Sequence, residues 1–326
     1  RMDSVRAMCR MFTGCKSMSS IDLHKLDTRN VTDISDMFYA CEALETIYVG
    51  VDWSMSNLKS DTLRVFEGCS NLVGGAGTEW TSSATSAKYA HIDGGADDPG
   101  YLSLADTLYI DGLKYSVTNQ GKRELSVGYA DLAGDTIVIP EKVQINGVDY
   151  TVTGIMDEGF SQQYKLKSVV IPESVTKIGE KAFYSDNIIS LDVPSSVTSI
   201  GASAFSSILN VNYAGDAEGS PWGANVCNGE VDFDLKFVFS DSTRTKIVRY
   251  FGKDSVVVIP NTVKELGKSS FTKAIEMKHV ELNNVEKIDD KAFRATGLQE
   301  ISLSNKIKYI GADAFFATSI SKVLIP

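Results

Sequence analysis

The residues with the richest chemistry in this chain are few and scattered. Its three histidines, His24, His91 and His279, fall in three separate segments. Neither His-Glu-x-x-His nor Cys-x-x-Cys occurs, the spacings that bring two ligands onto one zinc ion. No Gly-x-Ser-x-Gly elbow is present, and no cysteine is paired with a histidine in a protease-like arrangement. Gly74, Gly75 and Gly77 form a glycine cluster without the lysine of a phosphate loop, so they read as a turn. Asp93, Asp97 and Asp98 in HIDGGADDPG lack the spacing of an EF-hand. Asp-Gly and Asp-Pro are ordinary turn chemistry, and calcium is the minor alternative. His279 reads as a solvated residue on a strand. Nothing here assembles a catalytic constellation, and the expectation is a protein that is not an enzyme and has no cofactor or metal.

The five cysteines are an odd number, so they cannot all pair within the chain. Cys15, Cys41 and Cys69 recur at intervals of 26 and 28 residues. That regularity predicts reduced, buried thiols stacked on successive repeats, acting as small apolar side chains.

What must position all these residues is a repeat. Residues 166–183 read LKSVVIPESVTKIGEKAF, and residues 188–205, 22 later, read IISLDVPSSVTSIGASAF. Further copies occupy 256–271, 277–293 and 298–315, with Gly311 lying six times 22 residues after Gly179. In the first copy Leu166, Val169 and Ile171 point inward, while Lys167, Ser168 and Val170 point outward. Pro172 ends the strand, Val175 and Ile178 return to the core, Gly179 turns, and Ala182 and Phe183 fill the opposite wall. One unit cannot bury its apolar face alone, whereas stacked units can.

The N-terminal unit is longer. Met11-Phe12 returns as Met37-Phe38 after 26 residues, and Phe66 marks a third, looser copy. Met18, Ile21 and Leu23 match Leu44, Ile47 and Val49 as strand residues. Val31, Ile34, Met37 and Phe38, at three- and four-residue spacing, predict one face of a short helix. The Asn30-Val31-Thr32 sequon lies inside this packed motif.

Both units resemble the repeats of BspA-like bacterial leucine-rich-repeat surface proteins: IPESVTKIGEKAF is similar to one repeat type, LDTRNVTDISDMFYAC to the second. The resemblance covers residues 1–73 and about 151–326, with Asn283 and Ser304 in place of the proline and Asp289 in place of the glycine. It implies an α/β leucine-rich-repeat solenoid, with a parallel sheet on one face and short helices or turns on the other. It also implies a bacterial cell-surface or extracellular location and adhesion to a host or matrix protein.

The expected organisation is 1–73, N-terminal repeats; 74–104, a loop-rich junction; 105–150, β-hairpins; and 151–326, 22-residue repeats with a hairpin inserted near 214–253. Asp111-Gly112 and Asn146-Gly147 mark hairpin turns. The net charge of −10 and the absence of a basic run argue against nucleic acid, and no apolar stretch is long enough to span a membrane. The chain reads as part of a longer secreted protein, monomeric and able to pair end to end at high concentration. The candidate binding residues are the outward strand positions Lys167, Ser168, Ile189, Lys278, His279, Glu281, Gln299, Glu300, Ser302, Lys322 and Leu324. The other reading is a stiff spacer that presents other domains of a longer surface protein.

Overall fold

Each repeat contributes a short strand because its apolar residues alternate over only three to five positions, enough for one buried row per rung. The computed structural model describes residues 5–59, 62–129, 134–184, 187–232, 234 and 236–325. Pro326 and parts of the 214–253 segment, Phe233 and Leu235, lie outside the described residues. The chain divides into two units: Arg1–Ala133 with Pro140–Met156 and Ser174–Thr176, and Gly134–Ile139 with Asp157–Glu173 and Lys177–Pro326.

In the first unit, Ser20–Leu23, Thr46–Val49 and Leu102–Leu104 form a parallel sheet. Ser20 lies opposite Thr46, so the 26-residue sequence period is the physical step between rungs. Leu102 follows Ile47 in the sheet although 55 residues separate them, because the junction is looped out between two rungs. Antiparallel strands follow: Thr107–Ile110, Leu113–Asn119 and Glu124–Tyr129, then the pair Lys142–Ile145 and Val148–Ile155. Both two-residue turns have positive φ at both positions, 49° and 78° at Asp111-Gly112 and 53° and 80° at Asn146-Gly147. This is the primed geometry whose twist matches the flanking strands.

In the second unit each 22-residue repeat forms two sheets. Val256–Val258, His279–Glu281, Glu300–Ser302 and Lys322–Leu324 build the first. Lys246–Tyr250, Glu265–Leu266, Lys287–Ile288 and Tyr309–Ile310 build the second, from the residues that return the chain to the core. Phe237–Phe239 adds antiparallel strand pairing to Lys246–Tyr250 and to Glu230–Asp232. Alternating charges climb the rungs: Glu265 Oε1 lies 2.8 Å from Lys246 Nζ and 3.1 Å from Lys287 Nζ. Glu286 lies 3.7 Å from Lys264 and 2.6 Å from Lys308. Each such pair contributes at most about 1 kcal/mol. Their order nevertheless disfavours other registers, which would set like charges together.

The wall opposite the first sheet corrects the helical expectation. Among the described residues there is no α-helix, and the helical elements are the three-residue 3₁₀ turns Ala87–Tyr89 and Gly95–Asp97, both in the junction. Val31, Ile34, Met37 and Phe38 are buried as expected, but on turns. The reason lies in the backbone. Asp36 and Ala40 have φ of 55° and 57°, which a right-handed helix cannot contain. The same pair of left-handed residues, four apart around a phenylalanine, recurs through both units: Arg10 and Gly14 bracket Phe12, and Lys291 and Ala295 bracket Phe293.

In these turns the amide donors point along the stack. Lys291 N–H donates to Ala312 O at 2.9 Å, Phe293 N–H to Ala314 O at 2.8 Å and Ala295 N–H to Phe316 O at 2.9 Å. Arg10, Phe12 and Gly14 donate in the same way to Ser35, Met37 and Tyr39. Two non-glycine left-handed residues cost about 1–2 kcal/mol each. Three backbone hydrogen bonds at about 0.5–1.5 kcal/mol and a buried phenyl ring offset that cost. The turn wall is therefore a hydrogen-bonded ladder in its own right.

The repeat glycine also acts differently from expectation. Gly201 and Gly311 are not in the left-handed region, but a Cβ on either would lie 2.4 Å from the backbone nitrogen of Glu180 or Asp290. It is the close approach of adjacent rungs that needs glycine there.

The cysteine expectation holds for two positions and fails for one. All five cysteines are free, and Cys41 and Cys69 are fully buried, whereas Cys15 is exposed. The Cys41 thiol donates to Phe12 O at 3.1 Å and the Cys69 thiol to Phe38 O at 3.0 Å, each on the preceding rung. Cys15 belongs to the first described rung, and among the described residues none covers it in the same way. Burial raises the Cys41 pKa and pushes Cys69 up to about 12. Since the thiolate is the nucleophile, iodoacetamide at pH 8 should label Cys15 at least about 100-fold faster than Cys69 in the folded protein. Mass mapping after short exposure checks this. Equal labelling without denaturant would mean that the turn wall opens freely.

Candidate functional site

Strand alternation and in-register pairing arrange the outward residues of the second unit into continuous rows. Val256, His279, Glu300 and Lys322 form one row, and Val258, Glu281, Ser302 and Leu324 the next. Between them Val257, Val280 and Ile301 are buried and fix the strand orientation, while Val323 on the last rung is 48% exposed. The two valines on the outward face, Val256 and Val258, are about half exposed.

Charges cross the rungs within these rows. Lys322 Nζ donates to Glu300 Oε1 at 2.7 Å, and this bond holds the Glu300 pKa below the usual glutamate value. His279 Nδ1 lies 4.0 Å from Glu300 Oε2, and its Nε2 lies 3.7 Å from Glu281 Oε1. His279 is half-buried between two carboxylates, in place of the freely solvated residue expected from the sequence. Lys278 and Gln299 are exposed at the strand entries, where their carbonyls each accept two amides from the following rung.

The remaining candidates lie on other strands of the same unit. Ser168 faces Thr136 in a two-stranded parallel ladder, and Lys167 donates to Asp135 Oδ2 at 2.7 Å. Ile189 is half-buried just before Ser190–Val193. Eight of the eleven candidates therefore come together on one sheet, and three do not join them. Sequence reasoning missed Val256 and Val258 in the same rows, and the exposed Val138 that pairs with the outward Val170. The available signal was the alternation in VVVIP, in which the first and third valines must face outward.

The first unit has its own outward face. Ser20, Asp22, His24, Tyr48, Asp106 and Tyr109 line an open cleft of about 470 Å³. Asp22 Oδ1 accepts the His24 amide at 3.0 Å and lies 2.7 Å from His24 Nδ1. The backbone hydrogen bond chiefly holds the Asp22 pKa down.

In the junction the three aspartates do not converge. Asp93 is fully buried, Asp97 is exposed, and Asp98 lies beside His91 and Arg123. Among the described residues no group of three or more His, Cys, Asp or Glu is placed to hold a metal ion. No helix among them is long and apolar enough to cross a membrane.

Six copies of the family described as "BspA type Leucine rich repeat region" match residues 141–214 and 249–326. The chain is a BspA-type leucine-rich-repeat protein. In this BspA-type protein residues 1–90 also match the family described as "Mycoplasma protein of unknown function, DUF285". Among solved structures it is similar to the pneumococcal vaccine antigen PcpA, with 17% identity over 67% of this chain and 81% of that one and a TM-score of 0.33. A leucine rich cell surface protein from Faecalibacterium prausnitzii is 19% identical over 94% and 83%, with a TM-score of 0.27. A T. pallidum leucine rich repeat protein is 23% identical over 63% and 86%, with a TM-score of 0.28. No curated protein matches. The membership of this BspA-type protein rests on its repeats.

Proposed function

We propose that this BspA-type chain is a non-catalytic binding module of a bacterial cell surface, a repeat solenoid that adheres to a host or matrix protein through outward strand residues. The observation that carries this reading is the pair of in-register rows, Val256–His279–Glu300–Lys322 and Val258–Glu281–Ser302–Leu324. They combine both signs of charge with apolar side chains, a composition suited to protein recognition. The backbone beneath is already fixed by the buried rows, so little further backbone entropy is lost on contact. Lys278 and Gln299 extend the surface at the strand entries, while Lys167, Ser168 and Ile189 belong to a flanking part of the same contact. The regions 1–73, 74–104, 105–150 and 151–326 serve this function as N-terminal repeats, junction, hairpins and binding repeats. The chain acts as a monomer and pairs end to end only at high concentration.

The test is a panel of immobilised matrix proteins and glycans, screened with the whole chain and with a His279→Ala/Glu300→Ala variant. The variant should weaken binding about tenfold or more, while its melting temperature stays within about 2 °C, because surface substitutions cost little stability. Binding unaffected by the double substitution would overturn the assignment of the surface. A chain that binds no member of the panel would favour the spacer reading.

A further inference from the structure

A second kind of site lies in the first unit and shares no residue with the strand rows. Three segments meet around a cavity of about 250 Å³: the loop after Thr46–Val49, the junction around His91–Asp98, and the tip of the hairpin that turns at Asn146-Gly147. Trp53, Ile92, Ile145 and Val148 give it apolar walls, with Trp53 and Ile145 almost completely buried. The Trp53 indole already donates to Ala90 O at 3.0 Å, so its ring is available only as a surface.

The polar end has a defined charge balance. Asp98 Oδ2 accepts from Arg123 Nη2 at 3.3 Å, and its Oδ1 lies 3.2 Å from His91 Nε2. The nearby Asp93 carboxylate is saturated by protein donors. Tyr150 is 2% exposed and lines the cavity, yet its hydroxyl has no hydrogen-bond partner among the described residues. With the ring packed and no partner among those residues, that hydroxyl is left to bond whatever enters the cavity.

We propose that this cavity binds a phenol group, with the ring between Trp53 and the hairpin tip and the hydroxyl bonded to Tyr150. The size admits one ring and excludes nucleotides and oligosaccharides, being below the usual range of about 300–1,000 Å³ for ligand pockets. The charge balance selects a neutral head: Arg123 and Asp98 already match each other, so an added carboxylate or ammonium would enter without a counter-charge. The phenol is either a free small molecule or the tyrosine side chain of a partner protein, and the chemistry of recognition is the same. The site is independent of the strand rows and does not rest on the adhesive reading.

The experiment titrates p-cresol, toluene and benzoate into the whole chain, followed by the nuclear magnetic resonance shifts of the tryptophan indoles. Saturable p-cresol binding in the millimolar range is expected, tighter than toluene and with benzoate weakest. Tyr150→Phe should weaken p-cresol by about three- to tenfold, the worth of one hydrogen bond, and leave toluene unchanged. Val148→Trp should fill the cavity and remove both, with the melting temperature reporting that the fold persists. Displacement of p-cresol by an acetylated, amidated tyrosine peptide would identify a partner's side chain as the source. A cavity that takes p-cresol but not the peptide would point to a free phenol. Absence of saturable p-cresol binding, or binding that persists in a folded Val148→Trp protein, would overturn the proposal.

Discussion

Phe293→Ala is expected to lower the unfolding free energy by about 3–5 kcal/mol, the usual cost of deleting a fully buried phenyl ring. Phe293 is completely buried and stacks between Phe271, at 4.8 Å, and Phe315, at 5.5 Å. Its deletion leaves a gap in the middle of a column, and the ladder bonds from Phe293 N–H to Ala314 and from Phe271 N–H to Ala292 hold the neighbouring turns apart. The walls therefore collapse little into the gap. Phe315→Ala should cost clearly less, because Phe315 is only partly buried. Chemical denaturation followed by circular dichroism measures both. In a stacked repeat the slope must be checked as well, since weakening one rung can uncouple its neighbours and break the two-state transition. A loss below about 1 kcal/mol at Phe293 would mean that the aromatic column is incidental to the fold.

The second large effect is expected at Asp93. Its carboxylate accepts hydrogen bonds from the amides of Ala76, at 2.8 Å, Thr78, at 3.0 Å, Gly95, at 2.9 Å, and Gly100, at 3.3 Å, and from the Thr78 hydroxyl at 2.6 Å. The glycine cluster thus wraps one of the protein's own carboxylates. Gly74 is required because a Cβ there would lie 2.5 Å from Asp93 Oδ2, and Gly75 because one would lie 2.3 Å from Gln120 Oε1. Asp93→Ala orphans five donors, the Gly100 amide buried and the other four part-buried, and should destabilise the first unit by about 3–5 kcal/mol.

Burial by itself would raise the Asp93 pKa, but the bonds from Thr78, Gly95 and Ala76 together outweigh it and hold the value below the usual one. A carboxylate whose folded pKa is depressed stabilises fully above its unfolded value, near 3.9, and loses that contribution as pH falls through the folded pKa. The wild-type advantage over Asp93→Asn should accordingly be constant between about pH 6 and 8 and shrink below about pH 4. Melting temperatures across that range check the sign. An advantage that grew on acidification would contradict the assigned hydrogen bonds.

Much of this molecule was legible in the residues. The 22- and 26-residue periods gave the step between rungs, and the alternation of Leu166, Val169 and Ile171 gave the buried row, because the two faces of a strand are set by a period of two. The outward His279, Glu281, Glu300, Ser302, Lys322 and Leu324 followed from the same rule, whereas Lys278 and Gln299 are exposed because they precede the strands. The turn wall did not follow. Val31, Ile34, Met37 and Phe38 have helical spacing, and a turn that repeats buried positions every three or four residues has the same spacing. A trace of the difference was present: Gly14 and Gly68 occupy the place of Ala40, and glycine recurring at that point signals left-handed backbone.

By itself the sequence determined the repeat, the strands, the residues that face inward and the primed hairpin turns, since each depends on neighbours a few positions away. Tertiary structure alone decided what lies between distant segments. It left Cys15 exposed while covering Cys41, and it gave the amides of each turn acceptors on the next rung instead of within a helix. It also folded the glycine cluster around Asp93 and brought Tyr150 to the same cavity as Trp53 and His91. The physical reason is common to all of these. A buried polar group must be satisfied by whatever the fold brings within about 3 Å, and that partner lies 17 residues away for Asp93 and Ala76 and 29 for Cys41 and Phe12, outside the period of any strand or turn.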